Sequence, residues 1–177
     1  MEARLDGRNA LITGGSAGIG KAIARRFLTS GANVSIVARR SEVLKAAKAE
    51  IEAEGAITGT SGKVIALSAD IRNSEECELV ISKTQAAFGH IDVLVNNAGT
   101  SQRGDFLKVS DEIWQDDLDL KLFSAVRLCR LVIPGMRSRK WGRIINVLNL
   151  GAKVPNGGGA PTAVSRAAGM ALTKVLA

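Results

Sequence analysis

Short runs of β-branched and aliphatic residues alternate along the chain with longer segments of helical hydrophobic period. The runs predict five strands: Asn9–Thr13, Asn33–Ala38, Lys63–Ser68, Ile91–Asn96 and Gly142–Leu148. The segments between them predict helices over Ile19–Ser30, Glu42–Glu54, Ser74–Phe88, Asp111–Arg137 and the residues from Thr162 onward. This alternation is typical of the α/β class and predicts a doubly wound parallel sheet of about five strands.

The length and the helix ends indicate one domain, residues 1–177. Gly31 is expected to end the first helix and Ser41 to cap the second. The last helix reaches Ala177 without a Gly, Asn or Pro stop signal, and the strand Gly142–Leu148 would lie at a sheet edge. We therefore expect a domain that is incomplete at its C-terminus, or a chain that pairs with a partner.

The composition narrows the chemistry. Cysteine occurs only at Cys77 and Cys129 and histidine only at His90, so no Cys/His metal site is predicted. Free thiols indicate a reducing cytoplasm, and no apolar run reaches the roughly 18–20 residues of a membrane span. We expect a cytoplasmic protein that does not bind membranes. The chain has no tyrosine, which excludes any mechanism that needs a phenol.

The net charge of +7 is unevenly distributed, since residues 120–177 contain ten Lys or Arg and no carboxylate. One interpretation is a surface that binds a polyanion. The other is a solvated surface whose balancing acids lie in a C-terminal continuation, which the clustering of the basic residues in one turn favours. Because no aromatic residues are interleaved with the basic ones, nucleic acid is not predicted as a partner.

A glycine-rich turn follows the first strand directly and leads into the first helix. Its sequence, TGGSAGIG over Thr13–Gly20, removes side chains where the backbone would meet a pyrophosphate. The helix N-terminus then presents N–H groups and the positive end of its dipole to the anion. The alternative is an ordinary structural turn, but the order of strand, turn and helix favours nucleotide binding. The residues predicted to bind the cofactor here are Gly14, Ser16, Gly18, Ile19 and Gly20.

The end of the second strand bears on the choice of cofactor. An acidic residue there would bind the ribose 2′-hydroxyl of NAD(H), whereas an arginine would pair with the 2′-phosphate of NADP(H). The sequence has Arg39 and Arg40 after Ala38 and no carboxylate. It favours NADP(H) over NAD(H), with Arg39 as the phosphate ligand. The alternative is two arginines that simply lie on the surface.

Four landmarks occur in order along the chain: TGGSAGIG at Thr13–Gly20, Asp70-Ile71, NNAG at Asn96–Gly99 and GRIINV at Gly142–Val147. Together they resemble the short-chain dehydrogenase/reductase family, and within it the 3-oxoacyl-acyl-carrier-protein reductase-like members. The resemblance implies that Asp70 and Ile71 flank the adenine and that Asn97, Ala98 and Gly99 line the cofactor. It also implies an oxidoreductase, usually a homo-oligomer, that transfers hydride between a nicotinamide and a small carbonyl or alcohol. The resemblance also implies a Rossmann-type α/β fold, and members of the family continue for further strands beyond the fifth.

The four positions that this family uses for catalysis all carry other residues. Its Asn, Ser, Tyr and Lys fall on Lys121, Asn149, Thr162 and Arg166. An aliphatic hydroxyl is a far weaker acid than a phenol and an arginine does not release its proton, so ordinary catalysis is expected to be lost or very slow. One hypothesis restores it: Lys121, buried near Arg166 with a lowered pKa, serves as the acid while Asn149 polarises the carbonyl.

Three functions therefore remain open: an NADP(H)-dependent oxidoreductase with an altered site and an unknown small-molecule substrate, a non-catalytic NADP(H)-binding sensor or scaffold, and a fragment that neither folds well nor turns over.

The other residues whose side chains could take part in catalysis are interpreted as structural. Ser165 has no histidine partner, and the aspartates near the start of the long helix complement its dipole. These aspartates are Asp116, Asp117 and Asp119.

Overall fold

The computed structural model describes residues 4–59 and 62–177. Five parallel strands form the main sheet: β1 (Asn9–Thr13), β2 (Asn33–Ala38), β3 (Val64–Ser68), β4 (Val93–Asn96) and β6 (Arg143–Asn146). Two short antiparallel strands form a second sheet: β5 (Arg103–Gly104) and β7 (Ala160–Pro161). The helices are α1 (Gly18–Thr29), α2 (Ser41–Thr58), α3 (Ser74–Phe88), α4 (Asp111–Leu118), α5 (Ser124–Ser138) and α6 (Thr162–Leu176).

The strand order of the main sheet, β3-β2-β1-β4-β6, reverses direction at β1. The chain winds outward through β2 and β3 and then crosses to β4 and β6, which confirms the predicted Rossmann-type α/β fold and the edge position of the fifth main-sheet strand. In such sheets the ligand crevice lies at the carboxyl ends of the strands, where the order reverses. β1 therefore delivers the glycine turn to the middle of this crevice.

Helices cover both faces of the main sheet. β1 is buried along its whole length, with Ala10 and Ile12 in one apolar cluster and Leu11 in the other. The first cluster includes Leu28 of α1, and the second includes Leu128 of α5. Burial on both faces explains why the strands are continuous apolar runs rather than alternating ones. Within the part of the chain that the structure describes, no helix is both long and apolar enough to cross a membrane.

The second helix differs from its prediction at both ends. Ser41 is the first residue of α2 and makes no capping hydrogen bond, so its predicted role as N-cap is wrong. α2 continues past Glu54 to Thr58, because no residue interrupts the helix until Gly59 adopts a left-handed φ of +68°. A true side-chain cap occurs at α3, where Asn73 accepts hydrogen bonds from the backbone N–H groups that follow it.

The predicted helix Asp111–Arg137 is divided. α4 and α5 are joined by a π-helical segment, Asp119–Phe123, whose turn is wider than that of an α-helix. Lys121 lies in this segment and is buried. The segment thus brings one of the four substituted catalytic positions to the interior, next to the start of α6.

Candidate cofactor cavity and catalytic positions

A cavity of about 680 Å³ lies at the carboxyl ends of the main-sheet strands. Its walls come from the glycine turn, the ends of β2 and β3, the loops after β4 and β6, and Arg166 of α6. This volume is typical of small-molecule and cofactor sites. Every residue predicted to bind the cofactor lines it except Gly20; those that do are Gly14, Ser16, Gly18, Ile19, Arg39, Asp70, Ile71, Asn97, Ala98 and Gly99.

The glycine turn is held by hydrogen bonds to both neighbouring strands. The N–H of Gly14 donates to the carbonyl of Val37 over 2.8 Å. Thr13 Oγ1 accepts from the backbone N–H groups of Asn97 and Ala98, each over 3.0 Å. Asn97 Nδ2 donates in turn to the carbonyl of Thr13 over 2.9 Å. The turn is therefore preorganised before any ligand enters.

Two glycines of the turn act in different ways. Gly18 has a φ of +52° at the cavity wall, and a Cβ there would stand in open space. At Gly20 a Cβ would overlap the carbonyl of Gly14 and the side chain of Asn97, so this glycine lets α1 pack against the turn instead of lining the cavity. The first turn of α1 has no acidic residue and no side-chain cap, so its N–H groups and dipole can interact with an anion. The turn thus fits a pyrophosphate.

The end of the cavity at β2 and β3 presents positive charge. Arg39 and Arg40 are exposed and line its wall. Among the described residues that line the cavity, Asp70 is the one carboxylate, and both of its oxygens accept hydrogen bonds from Arg72 (Nε to Oδ1, 3.0 Å; Nη2 to Oδ2, 2.6 Å). These bonds hold the pKa of Asp70 below its usual value. Its charge is thus balanced by Arg72, so Arg39 and Arg40 give this end of the cavity a surplus of positive charge.

The substituted catalytic positions separate into two pairs. Arg166 and Asn149 line the cavity, and Arg166 Nη1 donates to the carbonyl of Val147 over 2.8 Å. Lys121 and Thr162 lie behind the cavity wall, where only 6% and 3% of their surfaces are exposed. The structure therefore does not bring the four residues together on one accessible surface.

Lys121 belongs to a buried ion pair. Its Nζ donates to the carboxylate of Asp117 and, over 2.7 Å, to Thr162 Oγ1. Both side chains of the ion pair are fully buried. Ser165 Oγ donates to Asp117 Oδ2 over 2.6 Å, and the backbone N–H of Gln102 donates to Thr162 Oγ1 over 3.0 Å. These contacts join α4 and the π segment to the first turn of α6.

Two members of this buried cluster have roles that differ from those the sequence predicts. The interpretation of Asp117 as a residue that complements the helix dipole is wrong, because it lies in the last turn of α4 with 1% of its surface exposed. Ser165 is also 1% exposed, and its partner is this carboxylate. The spacing of four residues between Asp117 and Lys121 places them on one helix face and could have indicated the pair.

Burial is the main influence on the acidity of Lys121. It lowers the pKa of the ammonium, while the hydrogen bond to Asp117 acts in the opposite direction. The charges of Arg166 and Arg103 lower this pKa further. A lowered pKa is what the hypothesis of Lys121 as the proton donor requires. The position is less favourable, because Lys121 does not line the cavity and the hydroxyl that it contacts, Thr162 Oγ1, is buried behind the same wall.

Residues 8–177 match the family described as short chain dehydrogenase. A short chain dehydrogenase of Pseudocercospora fijiensis is 35% identical over 158 residues, which are 88% of this chain and 49% of that protein. The 3-oxoacyl-[acyl-carrier-protein] reductase FabG of Vibrio cholerae is 35% identical over 175 residues, which are 98% of this chain and 67% of that protein. The chain thus spans between about half and two thirds of the length of these curated relatives.

A solved structure gives the same assignment. L-sorbose reductase from Gluconobacter frateurii, complexed with NADPH and L-sorbose, matches with a TM-score of 0.92 and 35% sequence identity, over 99% of this chain and 65% of that one. The strand order, the glycine turn and the sequence landmarks agree with these likenesses. The chain belongs to the short-chain dehydrogenase family of oxidoreductases, which is built on a Rossmann-type nucleotide-binding fold.

Proposed function

We propose that this protein binds NADP(H) in the cavity at the carboxyl ends of its strands, without the ordinary proton transfer of its family. The observation that carries the proposal is a preorganised glycine turn and two exposed arginines in the walls of one cavity. The turn suits a pyrophosphate and the arginines suit a 2′-phosphate. The complex of the Gluconobacter reductase with NADPH supports the choice of cofactor.

Each part of the cofactor has residues that would hold it. The backbone N–H groups of the glycine turn and the N-terminus of α1 would bind the pyrophosphate, and the Arg39 guanidinium would pair with the 2′-phosphate. Asp70 and Ile71 would lie beside the adenine, and Gly99 beside the nicotinamide. The bound cofactor supplies hydride chemistry, while the protein supplies binding and orientation.

Proton transfer is the step for which the cavity is poorly equipped. The chain has no tyrosine. The hydroxyl of Thr162 is engaged by Lys121 and Gln102, and the Arg166 guanidinium does not release its proton at working pH. These three observations favour a non-catalytic, cofactor-binding sensor or scaffold over an ordinary reductase.

Fluorescence titrations with NADPH and with NADH test the proposal. We expect NADPH to bind about tenfold or more tightly, because a charge-assisted hydrogen bond is worth roughly 1.5–3 kcal/mol. Arg39→Ala should weaken NADPH binding and leave NADH binding unchanged. Arg26→Ala, which removes an exposed arginine outside the cavity, is the matched control. Equal affinity for the two cofactors, or NADPH binding that Arg39→Ala does not weaken, would contradict the proposal.

A second function is favoured by the lowered pKa of Lys121. In it, NADP(H)-dependent reduction of a small carbonyl would take a proton from Lys121 through Thr162 Oγ1, 2.7 Å away, while Asn149 polarises the carbonyl. A screen of carbonyl substrates, followed by NADPH absorbance, separates the two functions. Turnover that Lys121→Met abolishes would support the second function, and NADPH binding without turnover would support the first. Turnover that persists in Lys121→Met would remove this lysine from the mechanism.

A further inference from the structure

The end of the cavity at β4 and β6 carries a fixed positive charge. Arg166 lines this end together with Gly99 and Val147. Its Nη1 is bonded to the Val147 carbonyl over 2.8 Å. Its Nη2 packs so closely on Gly99 that a Cβ there would overlap it. The guanidinium is therefore held at the cavity wall by contacts on two sides.

This charge has no carboxylate of its own. Within residues 4–59 and 62–177, no ion pair within 4.0 Å involves Arg166. The carboxylate whose charge acts on Arg166 is Asp117, which is bonded to Lys121. As an ion pair, Asp117 and Lys121 together carry no net charge. One positive charge is thus left over at this end of the cavity.

The surplus charge does not disappear on titration. A guanidinium remains protonated at working pH even though burial lowers the pKa of Arg166 from its very high usual value. The family has an ionisable phenol at the position of Thr162, whereas an aliphatic hydroxyl provides no negative charge. Arg103 adds to the positive potential, since its charge lowers the pKa of Lys121.

The position of Arg166 determines which half of the dinucleotide would lie beside its charge. In a Rossmann-type site the two halves of the dinucleotide lie on opposite sides of the strand at which the order reverses. Arg39 and Arg40 lie on the β2 side, so Arg166 lies on the side expected for the nicotinamide. The oxidised nicotinamide ring carries a positive charge and the reduced ring carries none. A partly buried guanidinium repels the first and not the second.

We propose that Arg166 makes this site selective for NADPH over NADP⁺, so that the protein binds the reduced form and its occupancy follows the redox state of the cofactor pool. The inference rests on the proposed function, because it requires NADP(H) in the cavity. It goes further by naming the redox form and the residue that selects it. Arg166 acts through its charge, so a neutral replacement should remove the selectivity without removing the binding site.

Calorimetric titrations with NADPH and NADP⁺ at low ionic strength test this inference. We expect NADP⁺ to bind about tenfold more weakly or worse, because the positive charges of the oxidised ring and the guanidinium repel each other in a partly buried site. Arg166→Gln should bring the ratio of the two dissociation constants close to one, mainly by strengthening NADP⁺ binding. Arg166→Lys, which keeps the charge, should retain the ratio. Arg39→Gln is the matched control and should weaken both forms equally, because the 2′-phosphate is the same in each.

The outcomes distinguish this inference from the function on which it rests. If neither form binds the wild-type protein, the proposed function fails and the inference fails with it. If both forms bind equally well, the proposed function stands and the inference is overturned. A large ratio that Arg166→Gln leaves unchanged, in a variant whose thermal unfolding matches the wild type, would overturn the assignment to Arg166.

Discussion

The two ends of the cavity use polar residues in opposite ways. At the end formed by the glycine turn and β2, backbone groups and exposed side chains such as Arg39 face the cavity. At the end near α6, Lys121, Asp117 and Thr162 bond to one another behind the wall. The first end is available to a ligand, whereas most of the polar groups of the second are consumed by internal contacts. Two of the four positions that the family uses for catalysis, Lys121 and Thr162, are here part of the interior, whereas Asn149 and Arg166 line the cavity.

This difference predicts which property each substitution should change. Changes in the buried cluster should alter the free energy of unfolding and leave cofactor binding by the folded protein nearly unchanged. Changes at the glycine turn should alter cofactor binding more than stability. The comparison would fail if substitutions at the two ends of the cavity had the same effects on the free energy of unfolding and on cofactor binding.

The largest effect is expected for Asp117→Ala. The substitution leaves the Lys121 side chain buried without its carboxylate and removes the carboxylate oxygen to which Ser165 Oγ donates. Removing one partner of a buried ion pair lowers the free energy of unfolding by about 3–5 kcal/mol. Urea denaturation at pH 7 measures the loss, and NADPH titration of the folded fraction should give a dissociation constant close to that of the wild type.

Two variants control this prediction. Asp116→Ala removes the neighbouring carboxylate, whose side chain is 67% exposed, and should change the unfolding transition little. The double variant Asp117→Leu/Lys121→Met replaces the ion pair with apolar side chains and should recover most of the stability, since such replacements are often neutral or stabilising. An Asp117→Ala protein that unfolds at the wild-type urea concentration would show that the buried cluster does not stabilise the fold.

The glycine turn should respond in the opposite way to Gly18→Val. A β-branched residue at a φ of +52° loses about 1–2 kcal/mol of stability, and its side chain would enter the space that Gly18 leaves open at the cavity wall. We expect NADPH affinity to fall at least about tenfold, equivalent to 1.4 kcal/mol or more. Fluorescence titration measures the affinity and urea denaturation the stability.

Gly7→Val separates the two consequences. Gly7 has a φ of +69°, nothing within 4 Å of a Cβ, and no contact with the cavity. It should show the same backbone strain and unchanged NADPH binding. If Gly7→Val weakened NADPH binding as much as Gly18→Val, the loss would reflect general destabilisation and the turn would have no direct role.

The same difference explains what the sequence could predict. β1, β2 and the glycine turn depend on residues close together in the chain, and both strands were predicted with their correct ends. The burial of Asp117 depends instead on α6, which begins about 45 residues later and supplies Thr162 and Ser165. No pattern in the residues around Asp117 indicates that α6 packs against it. Only the spacing of Asp117 and Lys121 was available, and it does not distinguish a surface pair from a buried one.

The π segment and Gly20 illustrate two further limits. The π turn at Asp119–Phe123 interrupts a segment with continuous helical periodicity, so the pattern of apolar residues predicted one unbroken helix. Gly20 belongs to the glycine-rich pattern, but its close approach to Gly14 and Asn97 makes it a packing residue. A motif identifies the set of residues that a site needs, and the packing around each member decides which of them face the ligand.

The smallest effect is expected for the ion pair between Asp70 and Arg72, at the end of the cavity near β2 and β3. Hydrogen bonds from Arg72 lower the pKa of Asp70 from its usual 3.8. A carboxylate whose pKa is lower in the folded state adds stability above the unfolded pKa and loses it as the pH falls through the folded pKa. Because the two side chains are 27% and 32% exposed, Asp70→Asn should lower the free energy of unfolding by less than about 1 kcal/mol at pH 7.

Urea denaturation of the wild type and Asp70→Asn between pH 7 and pH 3 checks both the size and the sign. The difference should be greatest at neutral pH and shrink below pH 3.8. Arg72→Met should cause a similar loss at pH 7, and the double variant should lose less than the sum of the two. A loss of several kcal/mol, close to that of Asp117→Ala, would mean that a partly exposed pair stabilises the fold as strongly as a fully buried one. In that case, exposure would not explain why one end of the cavity binds and the other holds the helices together.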